Sequence, residues 1–442
     1  MRITIILLCV ALLSGCATSQ RSQTAQNTNS QAGRLDPRAA NRSVAPTSPV
    51  LSKPTVDEWR VISIKGRFLS KDTSTIRVYL NTTVRKGERK ATVSDFTTQF
   101  MLNYVIYPDY NNRDRLGYGN VPLKPESVMQ EGDMLTIFFD IKKPANPNLT
   151  AAIMLLEITQ VDNGRKAQYD LPLRLKATKL SDRFALFDPK TGLPQLRNYA
   201  TVNDTIVIRD VAGTSKPLRL LRYKHDFDPA QSPMNTAPRS APKTLDVDST
   251  MTIMTNQPFR LPQEGLYFFL EDTVNTFGIG LVVSDKRFPK LTRPEKLIKP
   301  VMYMSTNSEI GELTRASDAK KAFDRYWLNL MSGDQNVARK AIRLYYDRVE
   351  EANRLFTTYK EGWKTDKGMI YVVLGAPDRV QRSRDREVWV YNQRSNVSEI
   401  NFTFNRKQNQ FVEDHYELVR YVEYQPIWYP VVEAWRTGAI RE

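Results

Sequence analysis

The sequence predicts a multidomain, mainly β protein with a C-terminal α+β domain: two β-sandwich-like domains followed by a helical hairpin packed on an antiparallel sheet. Three observations predict it. Short runs rich in β-branched and aromatic residues, separated by turn formers, recur as far as residue 283. Beyond residue 317 the apolar period changes from two to about 3.6. The 442 residues leave room for several domains, and the only cysteines, Cys9 and Cys16, lie at the extreme N-terminus, so stability is expected from apolar cores without disulfides.

Arg2, the apolar run over 3–13 and the tetrapeptide Leu13-Ser14-Gly15-Cys16 read as a bacterial lipoprotein signal. The run is too short to cross a ~30 Å hydrocarbon core, which needs roughly 20 residues, and reads as a signal h-region. Residues 1–15 are therefore expected to be a signal peptide, and Cys16 the lipidated residue, with several acyl chains (palmitate among them) as anchor. Residues 16–55 combine that cysteine with a Ser-, Thr-, Gln- and Pro-rich disordered tether of about 35 Å reach. Ala17 stands where an aspartate retains many lipoproteins in the inner membrane, and no acidic cluster follows Cys16. The expected location is the cell outer membrane, lipid-anchored and facing the periplasm.

Residues 56–180 carry six strand-like runs, at 59–64, 75–80, 100–107, 134–141, 151–159 and 169–175, which suggests an immunoglobulin-sized sandwich. Residues 181–290 form a second β-rich domain, with strands expected at 205–209, 218–223, 251–255, 265–270 and 277–283. An insert over 228–248, with four prolines, reads as an exposed loop. The proline-bearing stretch 291–316 is expected to be a linker.

In the C-terminal domain, 317–442, Phe323, Trp327 and Leu330 or Met331 share one helical face. Ser332-Gly333-Asp334 breaks that helix, and Asp334 can cap a second one whose apolar positions hold helical spacing toward Gly362. The runs 369–374, 387–391, 399–404 and 410–418 then read as strands.

Between hairpin and sheet lies Glu361-Gly362-Trp363-Lys364-Thr365-Asp366-Lys367-Gly368, followed by Tyr371, Gly375 and Pro377. Gly362 can end a helix in the left-handed conformation, Trp363 can fold back as its apolar contact, and Thr365 and Asp366 can hydrogen-bond the turn. On that reading the motif is a structural clasp. A catalytic alternative makes Asp366 an acid or base with Thr365 or Tyr371 nearby, although the two histidines, His225 and His415, stand in no recognisable arrangement.

These residues resemble the signature of the GWxTD-domain family, known mainly from envelope lipoproteins of Bacteroidota and related phyla, with no assigned reaction. The likeness covers roughly residues 310–442 and implies an envelope lipoprotein with upstream β domains. Within it, Leu374-Gly375-Ala376-Pro377, Val388-Trp389-Val390-Tyr391, Phe402-Thr403-Phe404 and Phe411 are similar to the core of SmpA/OmlA-type outer-membrane assembly lipoproteins. That likeness implies a binding module.

The net charge of +16 is spread along the chain, with 19 basic and 14 acidic residues in 56–180 and no basic arm. Long-range attraction to anionic surfaces or acidic partners follows, while the compartment disfavours nucleic acid. No metal site or cofactor is expected: ligand spacings, a Walker A loop, a dinucleotide fingerprint and a nucleophile elbow are all missing from the sequence. The arginine run Arg379, Arg382, Arg384 and Arg386 reads as a solvated hairpin or as a clamp for carboxylate or phosphate. The aromatic C-terminus, Tyr424, Trp428, Tyr429 and Trp435, reads equally as a contact surface or as packing across the hairpin.

The functional expectation is a non-enzymatic interaction or assembly module with an envelope protein partner, held to the membrane by its lipid. The rivals are an envelope enzyme acting on glycan or peptide through Asp366, and a glycan- or lipid-binding module.

Overall fold

Alternating burial along the first strands builds two facing antiparallel sheets. A computed structural model describes residues 58–440 except 147, 238–243, 273, 275 and 393–398; Cys16 and the expected signal and tether lie outside the described residues. The first sandwich comprises β1 (Trp59–Ser70), β2 (Thr75–Lys86), β3 (Arg89–Lys90), α1 (Val93–Gln99), β4 (Phe100–Tyr107), β5 (Gly117–Val121), β6 (Val128–Glu131), β7 (Met134–Lys142), β8 (Ala151–Gln160) and β9 (Lys166–Arg174). One sheet runs β1-β2-β7-β6, with β3 paired to β2, and the other runs β5-β4-β8-β9. Ile76, Val78 and Leu80 of β2, two residues apart, meet Met154, Leu156 and Ile158 of β8 in one core.

After α2 (Leu180–Arg183) come β10 (Ala185–Phe187), β11 (Tyr199–Thr201), β12 (Thr205–Arg209), β13 (Pro217–Tyr223), β14 (Ser249–Met254), β15 (Pro258–Arg260), β16 (Gly265–Leu270) and β17 (Ile279–Ser284). They form a five-stranded sheet, β11-β17-β16-β13-β14, and a small sheet, β10-β12-β15. Strand β16 is buried on both faces. Tyr267 and Phe269 point into the core between these sheets, whereas Leu266, Phe268 and Leu270 point into the core of the C-terminal region.

The C-terminal region contains α3 (Pro294–Ile298), a 3-10 turn (Lys299–Tyr303), α4 (Asn307–Arg315), α5 (Ala319–Leu330), α6 (Gln335–Phe356), a 3-10 turn (Gly362–Lys364), α7 (Asp366–Leu374), β18 (Arg379–Arg382), β19 (Arg386–Asn392), β20 (Glu399–Arg406), β21 (Tyr416–Leu418) and α8 (Gln425–Arg436). The four strands pair in sequence order, antiparallel throughout. At the α5–α6 corner Gly333 has a φ of +83°, and Asp334 accepts hydrogen bonds from the amides of Asn336 (2.8 Å) and Val337 (3.1 Å). No described helix is long and apolar enough to cross a membrane.

Three expectations are corrected here. Residues 291–316 are no linker: Pro294 and Pro300 sit in the first turn of helical segments, where a missing N–H costs nothing, and Val301, Tyr303 and Leu313 enter the core. The run 369–374 is helix α7. Its Met369, Ile370, Val372 and Val373 are all buried, so the helix is apolar all round and shows no period. The 228–248 insert is not simply exposed, since Ala230 and Pro233 are buried against the C-terminal region.

Candidate functional site

The eight residues from Glu361 to Gly368 turn the chain from α6 into α7, and nearly every polar atom they bring is engaged. Gly362 and Gly368 are there for space. A Cβ on Gly362 would lie 2.0 Å from the Ala352 carbonyl oxygen, and one on Gly368 1.9 Å from the Gly362 carbonyl oxygen. Gly362 is not among the positive-φ glycines, which corrects the left-handed cap expected there; a positive φ falls instead to Gly375, at +84° after α7. Pro377 follows it, just before β18.

Asn353 of α6 organises the turn. Its Oδ1 accepts from the Trp363 amide (3.1 Å), its Nδ2 donates to the Pro289 carbonyl (2.9 Å), and its own carbonyl accepts from Thr357 Oγ1 (2.6 Å). The Gly362 amide donates to Thr357 Oγ1 at 3.0 Å. Trp363 is buried, its indole N–H donating to Glu361 (2.9 Å) and its carbonyl accepting from Tyr303 Oη (2.8 Å). Thr365 caps α7: its hydroxyl donates to the Gly362 carbonyl (2.7 Å) and accepts from the Gly368 amide (3.0 Å).

Asp366 is buried and spent on structure. Oδ1 accepts from Arg420 Nη2 at 2.6 Å, and Oδ2 accepts from the Leu418 amide at 2.8 Å and from Arg420 Nη1 at 3.2 Å. The first turn of α7 is thereby tied to the end of β21. Arg420 also donates to the Gln231 carbonyl (3.3 Å), and the Ala230 amide donates to the Lys364 carbonyl (2.9 Å), so the same knot holds down the insert. Tyr371 is turned toward α6, where burial and a hydrogen bond to Glu351 push its phenol far above the usual range.

Two lysines flank the turn. Lys364 reaches Asp226 (2.6 Å) and Glu361 (3.1 Å); burial pulls its ammonium down, but those carboxylates outweigh it and the net shift is upward. Burial opposes ionisation of Asp226, yet Lys299 and Lys364 hold it at about 2. Lys367 lies 3.6 Å from the Tyr416 ring centroid and pairs with Glu387, which also accepts from the Trp389 indole (3.1 Å); burial lowers the Lys367 pKa against the pull of that carboxylate. A cavity of about 270 Å³ opens beside Trp363 and Lys364, and another of about 410 Å³ beside Thr365 and Lys367.

The arginine run divides. Arg382, 3.6 Å from Glu387, and the exposed Arg384 line the larger cavity; Arg379 pairs with Glu399 (3.2 Å) and Arg386 is exposed at the start of β19. The aromatic C-terminus is mostly core, which corrects its reading as a contact surface. Tyr424 stacks on Phe402 at 4.5 Å, Trp428 is buried, and Trp435 donates to the Val373 carbonyl (3.0 Å) with Arg348 over its ring; Tyr429 alone of the four is exposed. Such packing follows from the helical period of α8, in which Trp428 and Trp435 are seven residues apart on one face.

Asn353, Thr357, Asp226, Glu387 and Arg420, which complete the site, carried no signal in the sequence. They are ordinary polar residues made special by partners far along the chain. No group of three or more His, Cys, Asp or Glu side chains among the described residues could hold a metal ion.

The fold and this knot together define a mainly β, multi-sheet protein whose C-terminal helices and sheet close around a buried Gly-Trp-x-Thr-Asp clasp. Residues 265–437 match the model of the GWxTD domain. The match begins at β16, well before the boundary expected at 317, because β16 and β17 supply one wall of the same core. No protein of curated function matches the chain in sequence. Among solved structures, the ectodomain of mouse nectin-like molecule 4 (Ig1–Ig3) is similar at 12% identity and a TM-score of 0.15, over 52% of this chain and 66% of that one, just under two thirds of its length.

Proposed function

We propose that the protein is an outer-membrane lipoprotein, anchored through Cys16 and facing the periplasm, that acts as a non-enzymatic interaction or assembly module of the cell envelope. The observation that carries the non-enzymatic part is the state of Asp366. Both its oxygens are taken by fixed donors, and neither histidine stands beside it to exchange a proton. A carboxylate so held stabilises one geometry, with three of its roughly four acceptor positions already filled by the protein. The envelope location is supported by the lipobox-like sequence ending at Cys16. Of the candidate contact residues, Arg379, Arg382, Arg384, Arg386 and Tyr429 are exposed to meet a partner.

Crosslinking of the native protein in intact cells, followed by gentle detergent extraction, tests this reading. A stoichiometric envelope partner in the outer-membrane fraction is the expected result. Recovery of the protein alone across several crosslinkers overturns it, as does robust turnover by the purified protein that Asp366→Ala abolishes while the fold persists.

A further inference from the structure

The 410 Å³ cavity lies where three parts of the molecule meet: β1 and β9 of the first sandwich, the segment leading into β11, and the C-terminal region around α7 and the β18–β19 turn. Its size falls in the range of small-ligand sites. Its charge is lopsided, with nine lysine or arginine side chains against four carboxylates among the described residues.

Three of those carboxylates are already taken. Glu387 is held by Lys367, Glu413 by Arg174 (2.5 Å), and Asp414 by Arg406 (3.5 Å). The fourth, Asp170, has its pKa raised by burial and so resists ionisation. Arg382 shares Glu387 (3.6 Å) and Arg354 pairs with Glu350 (2.8 Å), which leaves Lys65, Arg67, Arg197 and Arg384 without a carboxylate partner among the described residues. Arg67 of β1 makes a single described hydrogen bond, a long one of 3.5 Å to the Gln195 carbonyl, and no ion pair. Arg197, two residues beyond Gln195, lies over the Tyr199 ring at 5.1 Å, and neither it nor Arg384 has a carboxylate within ion-pair distance among the described residues. Lys65 donates only to the carbonyls of Arg354 (3.3 Å) and Leu355 (3.5 Å) at the end of α6.

A guanidinium has five donors in a rigid fork. Keeping one in a cleft with most of its donors unused, beside other unmatched cations, is unfavourable unless an anion completes the set. Chance surface arginines are solvated or paired; this group is gathered by three separate parts of the chain into one concavity.

We propose that this cleft is a binding site for a compact polyanion bearing phosphate or carboxylate groups, gripped by Arg67 and Arg197, with Arg384 of the β18–β19 turn as a further donor. Guanidinium forks suit both chemistries through paired N–H···O contacts. The site shares Arg382 and Arg384 with the surface offered to a partner above, but its main grips, Arg67 and Arg197, lie outside that surface, so ligand binding and partner capture are tested separately.

Calorimetric titration of the purified chain carrying Cys16→Ala, so that no acyl chain contributes, tests it with inorganic pyrophosphate and with vesicles containing phosphatidylglycerol. Saturable one-site binding of pyrophosphate is expected, at least tenfold weaker in Arg67→Gln and unchanged in Arg339→Gln, an exposed arginine of α6 outside the cleft. Vesicle binding that pyrophosphate displaces and Arg67→Gln weakens identifies a lipid headgroup as the source; pyrophosphate binding without vesicle binding identifies a soluble anion. If Arg67→Gln does not fold, Arg197→Gln is read by the same criterion. The proposal is overturned if neither probe binds saturably, or if Arg339→Gln weakens binding as much as the cleft variants do, which would reduce the effect to diffuse positive charge.

Discussion

Replacing Gly368 by alanine separates the clasp from ordinary helix energetics, because the two make opposite predictions. Gly368 is the third residue of α7, and alanine in a helix is normally favoured over glycine by about 1 kcal/mol. Here the new Cβ would stand 1.9 Å from the Gly362 carbonyl oxygen, 2.7 Å from its carbon and 3.0 Å from the Trp363 Cα, all backbone or nearly so. Reaching ordinary contact near 3.4 Å requires the 3-10 turn and α7 to part by about 1.5 Å. That movement stretches both hydrogen bonds from Thr365 to the Gly362 carbonyl, through Oγ1 at 2.7 Å and through N at 3.0 Å. Overpacking of this kind costs about 1–3 kcal/mol, and each weakened bond adds about 1 kcal/mol. Set against the helix preference for alanine, a net loss of about 2–4 kcal/mol is expected. Urea unfolding followed by tryptophan fluorescence, to which the buried Trp363 contributes, measures it. A Gly368→Ala protein as stable as the parent, or more so, would refute the close approach.

Other perturbations follow from the same geometry. Thr365→Ala removes a cap bonded on both sides and is expected to cost about 1–2 kcal/mol in the same unfolding assay, with Thr365→Ser recovering most of it. Asp226, held at about 2 by Lys299 and Lys364, has a folded pKa below its unfolded value near 4. Its stabilising contribution is therefore complete above about pH 4 and is lost as pH falls toward about 2; Asp226→Asn should flatten that part of the curve of melting temperature against pH, and an unchanged acid limb argues against the link. Trp435→Phe deletes the indole bond to the Val373 carbonyl and leaves space beside Tyr345, with an expected loss of about 1–3 kcal/mol read from the urea midpoint.

What the sequence made legible were the features written in local pattern. The inner faces of β2 and β8 repeat every second residue, and the α5–α6 corner is spelled out by Ser332-Gly333-Asp334. Helix α7 escaped that reading because it is buried on every side, so its apolar run carried no period; its true markers were Thr365 before it and Gly375 after it. The prolines of 291–316 suggested a linker when they were helix starts. In the site, the glycine and threonine of the motif could be assigned to a turn, but not the reason for Gly362, whose neighbour Ala352 lies on the preceding helix. Asp226, Glu387 and Leu418, which pair with Lys364, Lys367 and Asp366, come from 20 to 138 residues away, and long-range pairing of common polar residues leaves no trace in a single sequence.

The central claim is that Asp366 works by holding Arg420 and the Leu418 amide. A double-mutant cycle on Asp366→Ala and Arg420→Ala, read by urea unfolding, tests it most directly. Removing Asp366 alone should cost about 3–5 kcal/mol, since it strands a largely buried guanidinium. The double variant should lose much less than the sum of the two single ones, giving a coupling of about 1.5 kcal/mol or more. A coupling within about 0.5 kcal/mol of zero, with Asp366→Ala folded and nearly as stable as the parent, would contradict the clasp and return Asp366 to the list of residues free to act on a substrate.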